Sequence, residues 1–510
     1  MSNPILIGPI IGQIDLNCST AIILATFDNI GKYIYEIIPD DNTCITIKKK
    51  FHVKKRKMPI RIIVENIILK KTKYTINLLD SKSNVISNDI GRIRISTQNK
   101  IAFVSGNDYK LSENINLWNN ILEDSEIDLV AMIGNNVYAD GVFYKVLNEL
   151  STNCDINNVV DTAFDAYHDL YYDAWTNNAV LRQIMSTTSI IMTPGNHDIF
   201  SLWGTGKIPH GYNENIFNAG LKIAKVIINK YQRSLMFEKN FPSKHNYYFV
   251  HTWGNIAMFC NEFRNNNCLK LDCEQYHEMI KFAKKSIKLG IKSFLCTSST
   301  FLIPTNDKIV QFDNISTLID IFIKSVSKSA MFANNCSFYF DTIFKIKKIF
   351  NNVTVICGNS NIFVEGQIFQ NDIKTIPFYS ASPITSLPIN LLYPLSNTSS
   401  QAIGIAFDKK IGTYCHNNYI IRGDYNNVRN YVVANYDNNS CKIIVEKTWS
   451  LQIDFSQINS SYFTELVMDI SNIGIGTLSE PMSSIDRLNY VRSQKVLTNN
   501  LSLLMQTLFT

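Results

Sequence analysis

The sequence predicts an α/β protein that carries a β-sandwich at its N-terminal end. Two contrasts in pattern predict it: up to about residue 98 the chain alternates in short strands without a helical period, whereas beyond Ile101 strand-like runs interleave with helical segments. The length agrees, because 510 residues exceed the roughly 250–300 at which a single core stops growing. The expected division is 1–98 for the sandwich, 99–450 for the α/β core and 451–510 for a C-terminal extension of weak pattern.

In order, the sandwich strands are expected at Ala21–Phe27, Tyr33–Ile38, Cys44–Ile47, Ile60–Val64, Tyr74–Leu79 and Arg92–Ser96, each bounded by polar turn residues. The stretch Ile68–Tyr74 is similar to the tyrosine corner of fibronectin type III-like sandwiches, without its usual Pro. In the core, strands are expected at Ile101–Val104, Asp128–Ile133, Ile190–Met192, Tyr247–Phe259, Lys292–Cys296 and Val353–Cys357. The clearest helix is Glu274–Leu289: Tyr276, Met279, Ile280, Ala283 and Ile287 share one face, lysines cover the other, and Gly290 closes it. After Ser399 two or three further strands follow, including Tyr431–Ala434 and Cys441–Trp449, and no internal repeat is evident.

Composition narrows the class. Hydrophobic residues at 45% and charged residues at 18% are those of a folded globular chain and exclude disordered and collagen-like classes. No apolar run approaches the roughly 18–20 residues of a membrane helix, and Met1–Ile14 lacks the basic and cleavage regions of a secretory signal. The 11 cysteines have no metal-site spacing and read as reduced, mostly buried thiols, so a non-secreted, reducing compartment such as the cytoplasm is expected. Asn is about one residue in nine, which together with abundant Ile and Lys points to an AT-rich genome, that of a large DNA virus or a parasite. The formal charge of +6 is local, because seven basic residues lie in Lys48–Lys57 and the rest of the chain is close to neutral. As a contact surface that run would suit a polyanion or a protein partner; its position between β-patterned segments reads first as a solvated strand pair.

The residues that carry chemistry lie just beyond the core strands, where open α/β sheets place their ligands. Four loops stand out: Ser105-Gly106-Asn107-Asp108, Gly134 to Asp140 (GNNVYAD), Gly195-Asn196-His197-Asp198 and Gly358-Asn359-Ser360-Asn361. Each alone is ordinary turn chemistry, but their order and placement make a constellation.

This constellation resembles the PhoD-like alkaline phosphatase and phosphodiesterase branch of the calcineurin-like metallophosphatases. The resemblance spans most of the chain and rests most heavily on Met192–Gly204 (MTPGNHDIFSLWG) and Tyr379–Pro388 (YSASPITSLP). Ile7–Gly12, Phe103–Asp108, Tyr171–Trp175 and the order of elements from Arg264 to Pro304 add to it. It implies a four-layer core of two β-sheets flanked by helices, preceded by the sandwich. It also implies a binuclear centre in which two cations about 3.5–4 Å apart activate a water and hold phosphoryl oxygens.

The positions that should supply that centre are altered. The bridging carboxylate falls on Asn135, the late Asp and His fall on Asn359 and Asn361, and a ligand Cys often seen in the first loop falls on Gly106. What survives is Asn196 and His197 as remnant catalytic residues, with Asp108, Tyr138, Asp140 and Asp198 as remnant metal-ligand candidates. Without a bridging anion nothing offsets the repulsion of two divalent cations, so no cofactor is expected. Two readings follow. The first is a pseudo-phosphatase retained as a structural or interaction module, in a virus particle if the genome is viral. The second is a working phosphomonoesterase or phosphodiesterase with a reduced Fe, Ca, Zn or Mn site.

Overall fold

The computed structural model describes residues 3–448 except 97, 111–116, 153–155, 202, 205–207, 242–247, 263, 266–267, 270–272, 300–336, 359–362, 371–373, 382–383, 386–412, 417–418, 427–428 and 438–439. The expected extension 451–510 lies outside the described residues.

Seven strands build the N-terminal part: β1 (Ile5–Ile14), β2 (Thr20–Phe27), β3 (Gly31–Pro39), β4 (Ile47–Val53), β5 (Ile60–Glu65), β6 (Tyr74–Asp80) and β7 (Val85–Ile93). They form two antiparallel sheets, β1-β2-β5 and β4-β3-β6-β7. Among the described residues none of these strands pairs with one beyond residue 98. The Tyr74 hydroxyl accepts the Ile68 N–H at 2.9 Å, which closes the corner read from Ile68–Tyr74. Three strands differ from expectation: β1 (Ile5–Ile14) lies outside the expected runs, and two others have different bounds. The fourth is Ile47–Val53 rather than Cys44–Ile47, because Phe51 and Val53 turn inward while Lys48, Lys50 and His52 face water. The last begins at Val85 and ends at Ile93, before the expected Arg92–Ser96 run is complete.

The basic run sits on β4 and the turn after it, and five of its seven charges are paired with carboxylates. Lys48 pairs with Glu36 at 3.0 Å and Lys49 with Glu65 at 3.4 Å, while Arg56 pairs with Asp28. Lys55 reaches Asp161 at 2.6 Å and Lys57 reaches Asp169 at 2.9 Å. Lysines on an edge strand also oppose strand addition by another chain.

The core alternates strands and helices: β8 (Lys100–Val104), α1 (Leu117–Glu123), β9 (Ile127–Ile133), α2 (Asp140–Thr152), α3 (Ile156–Trp175), α4 (Ala179–Thr187), β10 (Ser189–Thr193) and α5 (Glu214–Tyr231). Then come β11 (Phe249–Trp253), β12 (Ile256–Asn261), β13 (Arg264–Asn265), β14 (Cys268–Leu269), α6 (Cys273–Lys288), β15 (Ser293–Ser298), α7 (Ser337–Lys347) and β16 (Asn352–Cys357). The last strands are β17 (Phe363–Gln370), β18 (Lys374–Ser380), β19 (Thr413–His416), β20 (Tyr419–Asn426), β21 (Arg429–Asp437) and β22 (Ser440–Thr448). One sheet has the order β10-β9-β8-β21-β22 and the other β11-β12-β15-β16-β18-β17-β20-β19. The single run expected at Tyr247–Phe259 is a hairpin, β11 antiparallel to β12, turning at Gly254-Asn255 with Gly254 at φ +51°. A Gly-Asn pair between apolar runs is a two-residue hairpin signal.

Side-chain alternation shows the layering. Along β8 and β9, Ala102, Val104, Val130 and Met132 pack into an apolar cluster with α2 to α5. Their neighbours Ile101, Phe103, Leu129, Ala131 and Ile133 enter a second cluster with Phe249, Met258, Leu295 and Ile356 of the other sheet. Strands buried on both faces belong between layers, so the order is helices, sheet, sheet, helices. The second cluster also takes in Ile11, Ile23, Tyr35 and Ile76, so the N-terminal sheets share the inter-sheet core. Among the described residues no helix is long and apolar enough to cross a membrane.

Candidate functional site

The loops after β8, β9, β10 and β16 meet at the strand ends. Gly106 N–H donates to Gly134 O at 3.2 Å and Asn107 N–H to Asn135 O at 2.9 Å. The Ala139 N–H donates to His197 O at 2.7 Å, and Ile384 of the late Ser-Pro-Ile-Thr segment donates to Ser105 O at 2.9 Å. The approach is close enough to dictate glycine. A Cβ at Gly358 would stand 1.9 Å from Ile133 O, and one at Gly195 would stand 2.2 Å from Asn135 Oδ1. Gly134 at φ +101° and Asn135 at φ +51° make the sharp turn off β9; Asn tolerates that left-handed conformation better than most side chains.

Asp198 is the anion at the centre of this junction. It is fully buried, and its two oxygens accept four N–H donors. Oδ2 takes Gly195 N at 2.6 Å and Asn136 N at 3.1 Å, while Oδ1 takes Val137 N at 3.2 Å and Gln232 Nε2 at 2.7 Å. Burial pushes its carboxyl up to about 6, and the four donors oppose that rise. The Asn136 amide donates to Thr193 O and Gln232 Oε1, both at 2.9 Å, and Gln232 donates to the Tyr171 hydroxyl at 3.0 Å. Gln232, at the end of α5, was not legible in the sequence, since a lone Gln after a helix carries no signal.

Among the described residues His197 is the one imidazole at the junction. Its Nδ1 lies 2.8 Å from Asp140 Oδ2, and since the carboxylate can only accept, Nδ1 carries the proton. The ring stacks on Tyr138 at 4.8 Å between centroids, and its backbone N–H donates to Asn135 Oδ1 at 3.2 Å. The other oxygen of Asp140 accepts Ser201 N–H at 2.5 Å. An imidazole oriented by a carboxylate can move a proton at its second nitrogen.

The remaining candidates hold loops. Asn196 Nδ2 donates to Ser201 O at 2.8 Å, and buried Asp108 accepts the Lys110 N–H at 3.1 Å. Asn107 takes the Trp118 indole N–H at 3.3 Å. Asn359 and Asn361 lie outside the described residues. Of the other histidines, His251 is buried on β11 beside Gln13, where burial pushes its imidazole down to about 3 and keeps it neutral. Buried Arg264 donates to Ser299 Oγ at 2.8 Å and Ser299 O at 3.2 Å, bracing the Ser299 side chain that packs on Gly134.

The donor set does not fit a pair of divalent cations. Such a site needs a bridging carboxylate and several anionic or imidazole ligands. Position 135 offers a neutral amide, Asp198 is saturated by N–H donors, and Asp140 is shared between Ser201 and His197. Among the described residues no three His, Cys, Asp or Glu side chains come together to hold a metal ion.

Two facing sheets flanked by helices, with the informative loops gathered at their strand ends, define the metallophosphatase fold, and the chain has it in the PhoD-like arrangement. A solved structure of PhoD superposes with a TM-score of 0.59 at 12% identity, covering 93% of this chain and 99% of that one. A purple acid phosphatase, PPD1 from yellow lupin (Lupinus luteus) seeds, superposes with a TM-score of 0.51 at 11% identity, covering 86% of this chain and 71% of that one. No family model and no curated relative matches the sequence. At these identities the likeness establishes the fold.

Proposed function

We propose that this chain is a pseudo-phosphatase, a metallophosphatase scaffold kept as a structural or interaction module. The observation that carries the reading is the chemistry of the loop junction: Asn135 stands where a bridging carboxylate is required, and buried Asp198 is spent on backbone and Gln232 donors. Amides and saturated carboxylates hold loops together; they do not activate water. The Asn-rich composition supports placing such a module in an AT-rich genome, that of a large DNA virus among them.

The His197–Asp140 pair favours a second reading, a phosphomonoesterase or phosphodiesterase working with a reduced Fe, Ca, Zn or Mn site. An aryl phosphate and a bis-aryl phosphodiester, assayed with each of these ions added, separate the two. The wild type and His197→Ala should release product at the same background rate. Wild-type turnover that His197→Ala abolishes would establish the second reading instead.

A further inference from the structure

A stripe of exposed lysines, most of them without acidic partners among the described residues, lies on α6. Lys281, Lys284, Lys285 and Lys288 follow at helical spacing and, with His277 and Ile280, line a groove of about 530 Å³. Glu278 pairs with Lys281 at 3.1 Å, and among the described residues no ion pair is formed by Lys284, Lys285 or Lys288. The contrast with β4 is internal to the molecule, since Lys55 and Lys57 are met by aspartates of α3. Like charges three and four residues apart repel along a helix. The negative end of the helix dipole offsets this for Lys285 and Lys288 in the last turn, and less for Lys284.

A second, independent feature adjoins the stripe. Ile287, expected on the apolar face, is 39% exposed at its edge, and Leu289 is 57% exposed; they flank Lys288 at the helix end, where Gly290 turns the chain away at φ +81°. The opposite face is committed, with Tyr276, Met279 and Ala283 buried. Two bare aliphatic side chains set among lysines match one kind of partner better than others. An anionic phospholipid surface offers phosphates to the lysines and an acyl boundary to the aliphatics. A nucleic-acid backbone would use the lysines alone, because single-strand sites add aromatic platforms for the bases and the aromatic of this segment, Phe282, packs inward on Phe259 and Phe294.

We infer that the C-terminal end of α6, from Lys281 to Leu289, is a peripheral docking surface for anionic phospholipid. It is independent of whether the loop junction is inert or active. The test is co-sedimentation of the full chain with vesicles of phosphatidylcholine alone or with phosphatidylserine, at low and high salt. Binding should require phosphatidylserine and weaken as salt rises. The triple change Lys284→Glu, Lys285→Glu, Lys288→Glu should lower partitioning about a hundredfold, since each lysine near such a surface contributes roughly fivefold. Ile287→Ser with Leu289→Ser should lower it about tenfold. Both variants alter exposed side chains, so unchanged thermal unfolding is expected and excludes a folding defect. No binding to phosphatidylserine vesicles, or binding that neither variant weakens, would overturn the inference. Capture of a single-stranded oligonucleotide that the lysine variant loses, without vesicle binding, would assign the surface to nucleic acid and overturn it equally.

Discussion

Asp198→Ala is expected to cost about 4 kcal/mol of stability, read as a fall in the urea midpoint at unchanged slope, because removing one side of a buried charged network orphans its partners. Four donors that now end on one buried carboxylate would lose their acceptor: the N–H groups of Gly195, Asn136 and Val137 and the Gln232 amide. The loss is concentrated where the loops after β9 and β10 meet α5, so peptides 134–140 and 195–201 should exchange hydrogen fastest in the variant. Asp198→Asn keeps the shape but turns an NH2 toward N–H donors, and should lose part of the same energy. The comparison also has a pH signature. The folded carboxyl is raised to about 6 against the ordinary 3.8, so folding takes up a proton between those values. The proton-linked part of the Asp198 contribution is therefore fully present below the unfolded value and is lost as pH rises through about 6. The advantage of wild type over Asp198→Asn should grow as pH falls from 7 to 4, and an advantage that shrinks would show that the donors outweigh burial.

On the reading proposed above, Asn135→Asp should destabilise the protein by about 3 kcal/mol at neutral pH, because it places a carboxylate at a fully buried position without the metal pair that would balance it. In an intact binuclear centre the same carboxylate would be stabilised by two metals. In this chain Asn135 Oδ1 already serves as acceptor for His197 N–H and lies against Gly195, so the amide fits the junction as a neutral spacer. Millimolar Mn, Zn or Ca should not restore the melting temperature of the single variant, since one carboxylate cannot hold two cations. Adding Asn359→Asp and Asn361→His supplies a further carboxylate and an imidazole, and groups that act as a unit are strongly non-additive. Metal-dependent recovery of the melting temperature in the single variant alone would mean that a metal-holding set persists around position 135.

Much of this was legible from periodicity. β2, β3, β5, β6, β8, β9 and β10 were readable because strands buried on one or both faces write themselves as alternating or continuous apolar runs. The helix from Cys273 to Lys288 showed its apolar stripe and its closing Gly290. Errors fell where local chemistry was subtler. Gly254-Asn255 splits one long apolar run into two strands, and β4 hides an inward Phe51 among lysines. At the junction, the loops were legible as motifs, and the sequence placed Asn135, Asn136, His197, Asp140 and Asp198 in them. What it could not show is who holds whom. Gln232 and Ser299 enter through tertiary contact alone, and the pairing of His197 with Asp140 depends on how two loops cross.

A pseudo-phosphatase requires that the loop junction hold no metal pair. The most direct test is the metal content of wild-type protein purified without chelator, incubated with Fe, Zn, Mn and Ca, gel-filtered and measured by elemental analysis. Well under one equivalent of any of these ions per chain is expected, unchanged by His197→Ala. Close to two equivalents, as a two-metal phosphoesterase site would hold, lost on His197→Ala, would contradict it.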